Sequence, residues 1–243
     1  SVPECDVMEK LLQGLRDYFL FSADAEVTIE ANPGTLTPEK LSIYRKYGIN
    51  RISIGLQSPN NKELAMLGRI HNYAQFLESF QMARAAGFSN INVDLMFAIP
   101  GQSYDGWIEN LQTVAALGPE HISAYSLIIE EGTPFFRKKL DLPDEDTEYR
   151  MYEDVAAVLK EYDYHQYEIS NYAKAGYECR HNEGYWQRKD YLGLGLGAAS
   201  LLGMERFSNT ADMQEYLKNS SAPEKIRKNR ELLTREDEMA EFM

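Results

Sequence analysis

The chain has 243 residues, 44% of them hydrophobic, enough for a substantial core in one large or two small domains. Its formal net charge of −13 argues against a nucleic-acid backbone as partner. No run approaches ~18 consecutive apolar residues, so no membrane span is expected, and two cysteines far apart, Cys5 and Cys179, form no disulfide framework and suit a reducing cytoplasm.

The amino end, SVPECDVMEK, is polar and acidic, unlike a signal peptide. Residues 3–20 set Val7, Leu11, Leu12, Leu15 and Phe19 at helical spacing. A strand over 27–31 follows, turned out by Pro33-Gly34. Thr37 then caps a helix with Pro38 in its first position, and Gly48 closes it. A strand over 51–57 leads to helices near 60–67 and 73–86. A strand over 91–97 leads to the turn Ile99-Pro100-Gly101 and a helix over 104–116. A strand over 121–129 runs into Glu131-Gly132-Thr133-Pro134. Strands alternating with helical crossovers predict an α/β fold with a parallel sheet.

The rhythm then changes. Residues 144–162 read as a long charged helix, 166–173 as a strand, 205–209 as a last strand and 210–218 as a short helix. The polar stretch 221–230 reads as a linker. The chain opens in a helix with no strand before it and ends at Met243 in the middle of another, so truncation at both ends is expected.

Three of the strands share one pattern. Val27 and Ile29, then Ile52, Ile54 and Leu56, then Ile91, Val93 and Leu95 fall on one kind of face. Thr28 and Glu30, then Ser53, Gly55 and Gln57, then Asn92 and Asp94 fall on the other. A polar inner face is a binding wall rather than a core. Glu30, Gln57 and Asp94 sit at or near strand carboxyl ends, where β/α barrels build their sites. Each alone is equally well a helix cap or turn residue; three on one face favour a site. Arg69, in LGRIH, has the fork to clamp a carboxylate, although spacing alone reads as a solvated helix end.

Other motifs carry less. In GLGLGAAS (193–200) the third glycine comes one residue too early for a G-x-G-x-x-G phosphate loop, so alternating glycines point to close approach of another backbone or a flat ligand. Cys179 and His181 are two potential ligands, too few for a zinc site. His181, beside Tyr185 and Trp186, is either a haem ligand or part of a packing cluster. His71, His121 and His165 are scattered and suggest no site.

Taken together, EANPGTLT (30–37), RISIGLQS (51–58), LGRIHNYAQ (67–75), NINVDLMFAIPGQ (90–102), ISAYSLIIEEGTPF (122–135), YEISNYA (167–173) and HNEGYW with YLGLGLGAAS (181–200) resemble the oxygen-independent coproporphyrinogen III oxidase family, a radical S-adenosylmethionine family. LIIEEGTPF and the HNxxYW segment are closer to its HemW-type haem chaperone branch. The likeness spans nearly the whole chain and is specific as a set.

The resemblance implies a partial (β/α)6 radical SAM barrel lacking its first strands, over 1–143. A small family-specific α+β extension would follow over 144–220, then a linker and the start of a helical carboxyl-terminal domain over 221–243. It implies that Glu30, Gln57, Arg69 and Asp94 contact S-adenosylmethionine, with Ile128 near the adenine, and that His181 faces haem. It also implies a [4Fe–4S] cluster bound through CxxxCxxC. That motif is missing, as is the glycine-rich GGGTP segment, and Cys5 and Cys179 cannot replace it. The cluster is therefore expected only in a longer parent protein, no metal is expected in this chain, and the chain alone is expected to be inactive.

Three readings stay open. The parent is a radical enzyme that oxidatively decarboxylates porphyrinogen propionates to vinyls with an unidentified electron donor. Alternatively it is a haem chaperone that keeps the barrel and delivers haem to respiratory proteins. Or the chain is a cluster-free binding module. An exposed sheet edge is expected to favour self-association.

Overall fold

The structure is a computed structural model and describes residues 3–241, so the two residues at each extreme of the chain, including the expected helix end at Met243, lie outside the described residues. The chain divides into two compact units, residues 1–178 and 179–243.

The first unit begins with α1 (Cys5–Tyr18), β1 (Thr28–Ala31), α2 (Pro38–Lys46), β2 (Arg51–Gln57), α3 (Asn61–Met66) and α4 (Tyr73–Ala85). It continues with β3 (Ile91–Phe97), α5 (Tyr104–Ala115), β4 (His121–Ser126), α6 (Glu145–Lys160), β5 (His165–Gln166) and β6 (Asn171–Ala173). One sheet of order β1-β2-β3-β4-β6-β5 runs through it, with β1 to β4 parallel and β6 antiparallel to β4.

Local chemistry fixes these elements. Thr37 accepts the Lys40 amide at 3.2 Å with Pro38 in the first turn of α2. Asn72 and Gln75 form a reciprocal capping box on α4. The outer face of the sheet packs Ile52, Ile54, Leu56, Ile91, Val93, Leu95 and Ile122 against helices through Leu41, Tyr44, Phe76, Trp107 and Val155. Trp107 adds an indole hydrogen bond to the Met151 carbonyl at 2.9 Å, joining α5 to α6. Burial of these side chains supplies most of the stabilisation, about 1.5–3 kcal/mol for each large apolar group.

Two expected strands are shorter than read. The strand expected over 121–129 stops at Ser126, because Gly132 and the Thr133 hydroxyl, which donates to the Glu130 carbonyl at 2.7 Å, already organise a turn. The strand expected over 166–173 is a hairpin of β5 and β6. The Glu168 carboxylate accepts the Ser170 amide at 3.0 Å and turns the chain between them.

The second unit holds α7 (Arg180–Trp186), β7 (Ala199–Leu202), β8 (Glu205–Asn209), α8 (Met213–Asn219), α9 (Pro223–Ile226), β9 (Arg227–Leu232) and α10 (Arg235–Glu241). Its sheet is antiparallel in the order β7-β8-β9. Residues 221–230, read above as a linker, instead form α9 and most of β9. Cross-strand charge pairs hide that strand from a hydrophobic pattern: Arg230 meets Glu205 at 2.6 Å and Arg206 meets Glu231 at 3.4 Å. Leu201, Phe207, Ile226 and Leu233 are buried in this unit.

The glycine-rich segment is a loop rather than a strand. A Cβ on Gly193 would lie 2.2 Å from the Ala199 carbonyl oxygen, so glycine is needed there for close backbone approach, as the sequence suggests. The Asn209 amide ties the loop down by donating to the Gly193 and Gly195 carbonyls at 3.2 and 2.8 Å. Among the described residues no helix is long and apolar enough to cross a membrane.

Candidate functional site

At the carboxyl ends of β1 to β3, a cavity of about 370 Å³ is lined by Glu30, Asn32, Ser53, Gly55, Gln57, Arg69 and Asp94, with Met8 from α1 beside them. It gathers the four residues expected to contact one ligand, Glu30, Gln57, Arg69 and Asp94. Period-2 alternation puts Glu30 and Asp94 on the inner face of their strands.

Gln57 ends β2 in the left-handed region, with φ +73, and the β2–β3 register shifts between Ile54 and Gln57. A bulge of this kind re-aims a side chain, and a non-glycine residue held there is strained in the way typical of functional sites. The Tyr125 hydroxyl on β4 donates to Gln57 Oε1 at 2.8 Å. That leaves the Gln57 amide as the donor available to a ligand.

Arg69 is aimed by a Schellman turn. Gly68, with φ +71, donates its amide to the Ala65 carbonyl, and the Arg69 amide reaches the Leu64 carbonyl at 2.9 Å. His71 then pins the segment: its Nε2–H donates to the Leu56 carbonyl at 3.1 Å, and burial lowers its pKa. Buried Glu63 fixes the loops further back. Its Oε2 accepts from the Ser58 hydroxyl at 2.6 Å, the Asn110 amide at 2.8 Å and the Gln102 amide at 3.0 Å. One carboxylate thus joins the loop after β2, the loop after β3 and α5.

Asp94 is half-buried. Burial pushes its carboxyl pKa up, the Asn92 amide opposes that, and the Glu30 charge adds to the rise. Asn92 donates to Oδ1 at 2.7 Å, and the Ser53 hydroxyl lies 3.3–3.4 Å from both oxygens. Tyr125 is pushed up to about 12 by burial, with the Asp94 charge as the second cause.

The wall therefore offers two carboxylates, a guanidinium and a primary amide. That set can bind an ammonium, ribose hydroxyls and a carboxylate in one ligand. Gly55 keeps the wall open, since a Cβ there would lie 3.0 Å from Gln57 Nε2 and 3.6 Å from Asn32 Oδ1. Ser53 stands on the wall as its place on the polar face predicts, whereas Asn32, Tyr125 and His71 are contributors the motifs do not announce. The signal for Tyr125 was present, because 121, 123 and 125 continue the polar inner face onto β4.

His181 lies in the second unit, exposed near the start of α7. Its ring meets Tyr185 edge-on with centroids 4.6 Å apart, and Tyr185 meets Tyr191 at 4.7 Å. Trp186, Leu192 and Leu194 of this unit are also exposed. Among the described residues no group of three or more His, Cys, Asp or Glu side chains is arranged to hold a metal ion.

Residues 3–114 match the model of the Radical SAM superfamily. The chain is 35% identical to the heme chaperone HemW of Lactococcus lactis, covering 100% of this chain and 65% of that protein. It is 41% identical to heme chaperone HemW of Escherichia coli, covering 79% and 50%, and 39% identical to that of Bacillus subtilis, covering 86% and 57%. The chain thus spans between half and two thirds of the length of these relatives. Among solved structures it is similar to the coproporphyrinogen III oxidase HemN of Escherichia coli, a radical SAM enzyme. The TM-score is 0.84 at 22% identity, over 98% of this chain and 58% of that one, a likeness of fold.

Proposed function

Because the chain belongs to the radical SAM superfamily, in the HemN-like family with its HemW branch, we propose that the cavity at the sheet's carboxyl ends binds S-adenosylmethionine. The observation that carries this reading is the convergence of Glu30, Gln57, Arg69 and Asp94 on one cavity wall. Arg69 takes the methionine carboxylate through its fork, and Glu30 takes the ammonium. Asp94 and the Gln57 amide face the ribose.

The donor set fits this ligand; it does not fit the iron–sulfur cluster. Cys5 lies on α1 and Cys179 at the start of α7, in different units, and two thiols do not make a three-thiolate site. Bound beside its cluster, S-adenosylmethionine supplies the superfamily's radical chemistry. The residues of this chain bind and orient it.

Of the readings left open by the sequence, haem binding is better supported than porphyrinogen oxidation. The relatives at 35–41% identity named above are heme chaperones. His181 is the proposed haem ligand, its imidazole held against Tyr185 in a unit that exposes Trp186 and Leu194.

Two measurements test these assignments. Equilibrium dialysis of the chain with S-adenosylmethionine should give saturable binding, weakened at least about ten-fold in Arg69→Met; no binding would remove the pocket assignment. Haem titration of a longer protein carrying this chain should shift the Soret band, with weaker binding in His181→Ala. Anaerobic conversion of coproporphyrinogen III by that protein would restore the oxidase reading.

A further inference from the structure

Below Asp94 the inner face carries a row of polar side chains at matched register. Ser53 on β2 pairs with Asn92 on β3, and Asn92 pairs with His121 on β4. All three are buried, and His121 is 0% exposed. The Asn92 amide donates to Asp94 Oδ1 at 2.7 Å and to Ser53 Oγ at 2.9 Å, which uses both of its N–H groups. Its Oδ1 faces His121 Nδ1 at 2.5 Å, and His121 Nε2 faces the Tyr167 hydroxyl at 2.8 Å.

With a neutral imidazole, one polarity satisfies this chain. An ionised carboxylate accepts, so Asn92 must present its amide nitrogen to Asp94 and its oxygen to His121. His121 must then carry its proton on Nδ1, and the Tyr167 hydroxyl must donate to the bare Nε2. A histidine protonated on both nitrogens would donate to the Tyr167 oxygen instead, so it is burial that decides the charge state. Burial pushes the His121 pKa down to about 3, and the Arg51 guanidinium works in the same direction, so the imidazole stays neutral.

We infer that His121 is a positioning residue for Asp94, acting through Asn92: its Nδ1–H fixes the flip of the Asn92 amide, which engages Oδ1 of Asp94 and leaves Oδ2 for a ligand donor. The inference rests on the reading of the cavity as the S-adenosylmethionine site, because it assigns how one wall residue of that site is oriented. Without the His121 donor, the Asn92 oxygen keeps only the Ser123 hydroxyl, 3.2 Å away and nearer to Asn171 Oδ1 at 2.5 Å, so the amide is held less firmly against Asp94.

The test reads Asp94 directly. Its carboxyl ¹³C shift is titrated with pH in the wild-type chain, in His121→Leu and in His121→Asn, where the asparagine amide can stand in for Nδ1–H. Asp94 is faced by Glu30 from β1, Ser53 from β2, Asn92 within β3, Ser123 and Tyr125 from β4, and Arg69 from the loop before α4, and all are kept. The expected result is a midpoint raised by at least about half a pH unit in His121→Leu and restored in His121→Asn. S-adenosylmethionine affinity should fall about five-fold in His121→Leu and return in His121→Asn.

Equal midpoints in all three proteins would overturn the inference. If the wild-type chain fails to bind S-adenosylmethionine while the Asp94 midpoint moves, the cavity reading fails and the positioning role stands. Should His121→Leu not fold, the ¹⁵N spectrum of the wild-type imidazole decides. A proton on Nδ1 supports the inference, and a proton on Nε2 overturns it.

Discussion

The Tyr125 hydroxyl donates to Oε1 of Gln57 at 2.8 Å, from β4 across to the end of β2. The contact settles which end of the Gln57 amide faces the cavity, and it holds a residue whose backbone sits at φ +73. In Tyr125→Phe the amide loses its partner and rotates. Affinity for S-adenosylmethionine should fall about three- to ten-fold, on the scale of one hydrogen bond. The apolar core should melt as before. Calorimetric titration beside a thermal melt checks both.

Asp94 should trade stability for binding. Its folded pKa is raised, chiefly by burial. As pH climbs from the unfolded value of 3.8 through the raised folded value, the unfolded chain releases the proton first, so the native state loses stability over that window. Asn cannot ionise, so Asp94→Asn should flatten this fall and unfold at higher denaturant than wild type at neutral pH, while binding S-adenosylmethionine at least about ten-fold more weakly. Urea melts across the acid range, wild type against variant, test the sign.

Much of this arrangement was legible in the sequence and some was not. The inner-face positions 30, 57 and 94 followed from period-2 alternation, because a strand's side chains have only two directions. His121 looks scattered in the sequence, since its meaning depends on register with Asn92 on the neighbouring strand, which no local pattern encodes. Glu63 gives no signal in the sequence, because its partners Ser58, Gln102 and Asn110 come together only in the fold. Strand β9 was hidden because its cross-strand partners are charges rather than apolar side chains. Gly193 is the reverse case: alternating glycines point to close approach of a backbone or a flat ligand, and the Ala199 backbone is what approaches.

Glu63→Ala should damage the frame of the site more than an exposed glutamate would. The substitution strips a shared acceptor from Ser58, Asn110 and Gln102, all buried. Leaving buried donors unsatisfied costs about 1–3 kcal/mol each before relaxation, so a loss of about 3 kcal/mol is expected in urea unfolding. Glu63→Gln keeps an acceptor oxygen and should recover part of it.

Gly193→Ala should open the glycine loop of the second unit. The added methyl would fall 2.2 Å from the Ala199 oxygen and 2.9 Å from the Ala198 carbonyl carbon, both backbone, so no side chain can move aside. Limited proteolysis should cut near residues 193–198 at least about ten-fold faster than in wild type, the opening cost having fallen by more than about 1.4 kcal/mol.

The central claim is that one wall of this chain binds S-adenosylmethionine. An amide and side-chain NMR titration with that ligand tests it most directly. The account predicts saturable shifts concentrated on Glu30, Gly55, Gln57, Arg69 and Asp94, with the Tyr125 ring responding through Gln57. Saturable shifts elsewhere, with these residues unmoved, or no saturable shift at all, would contradict it.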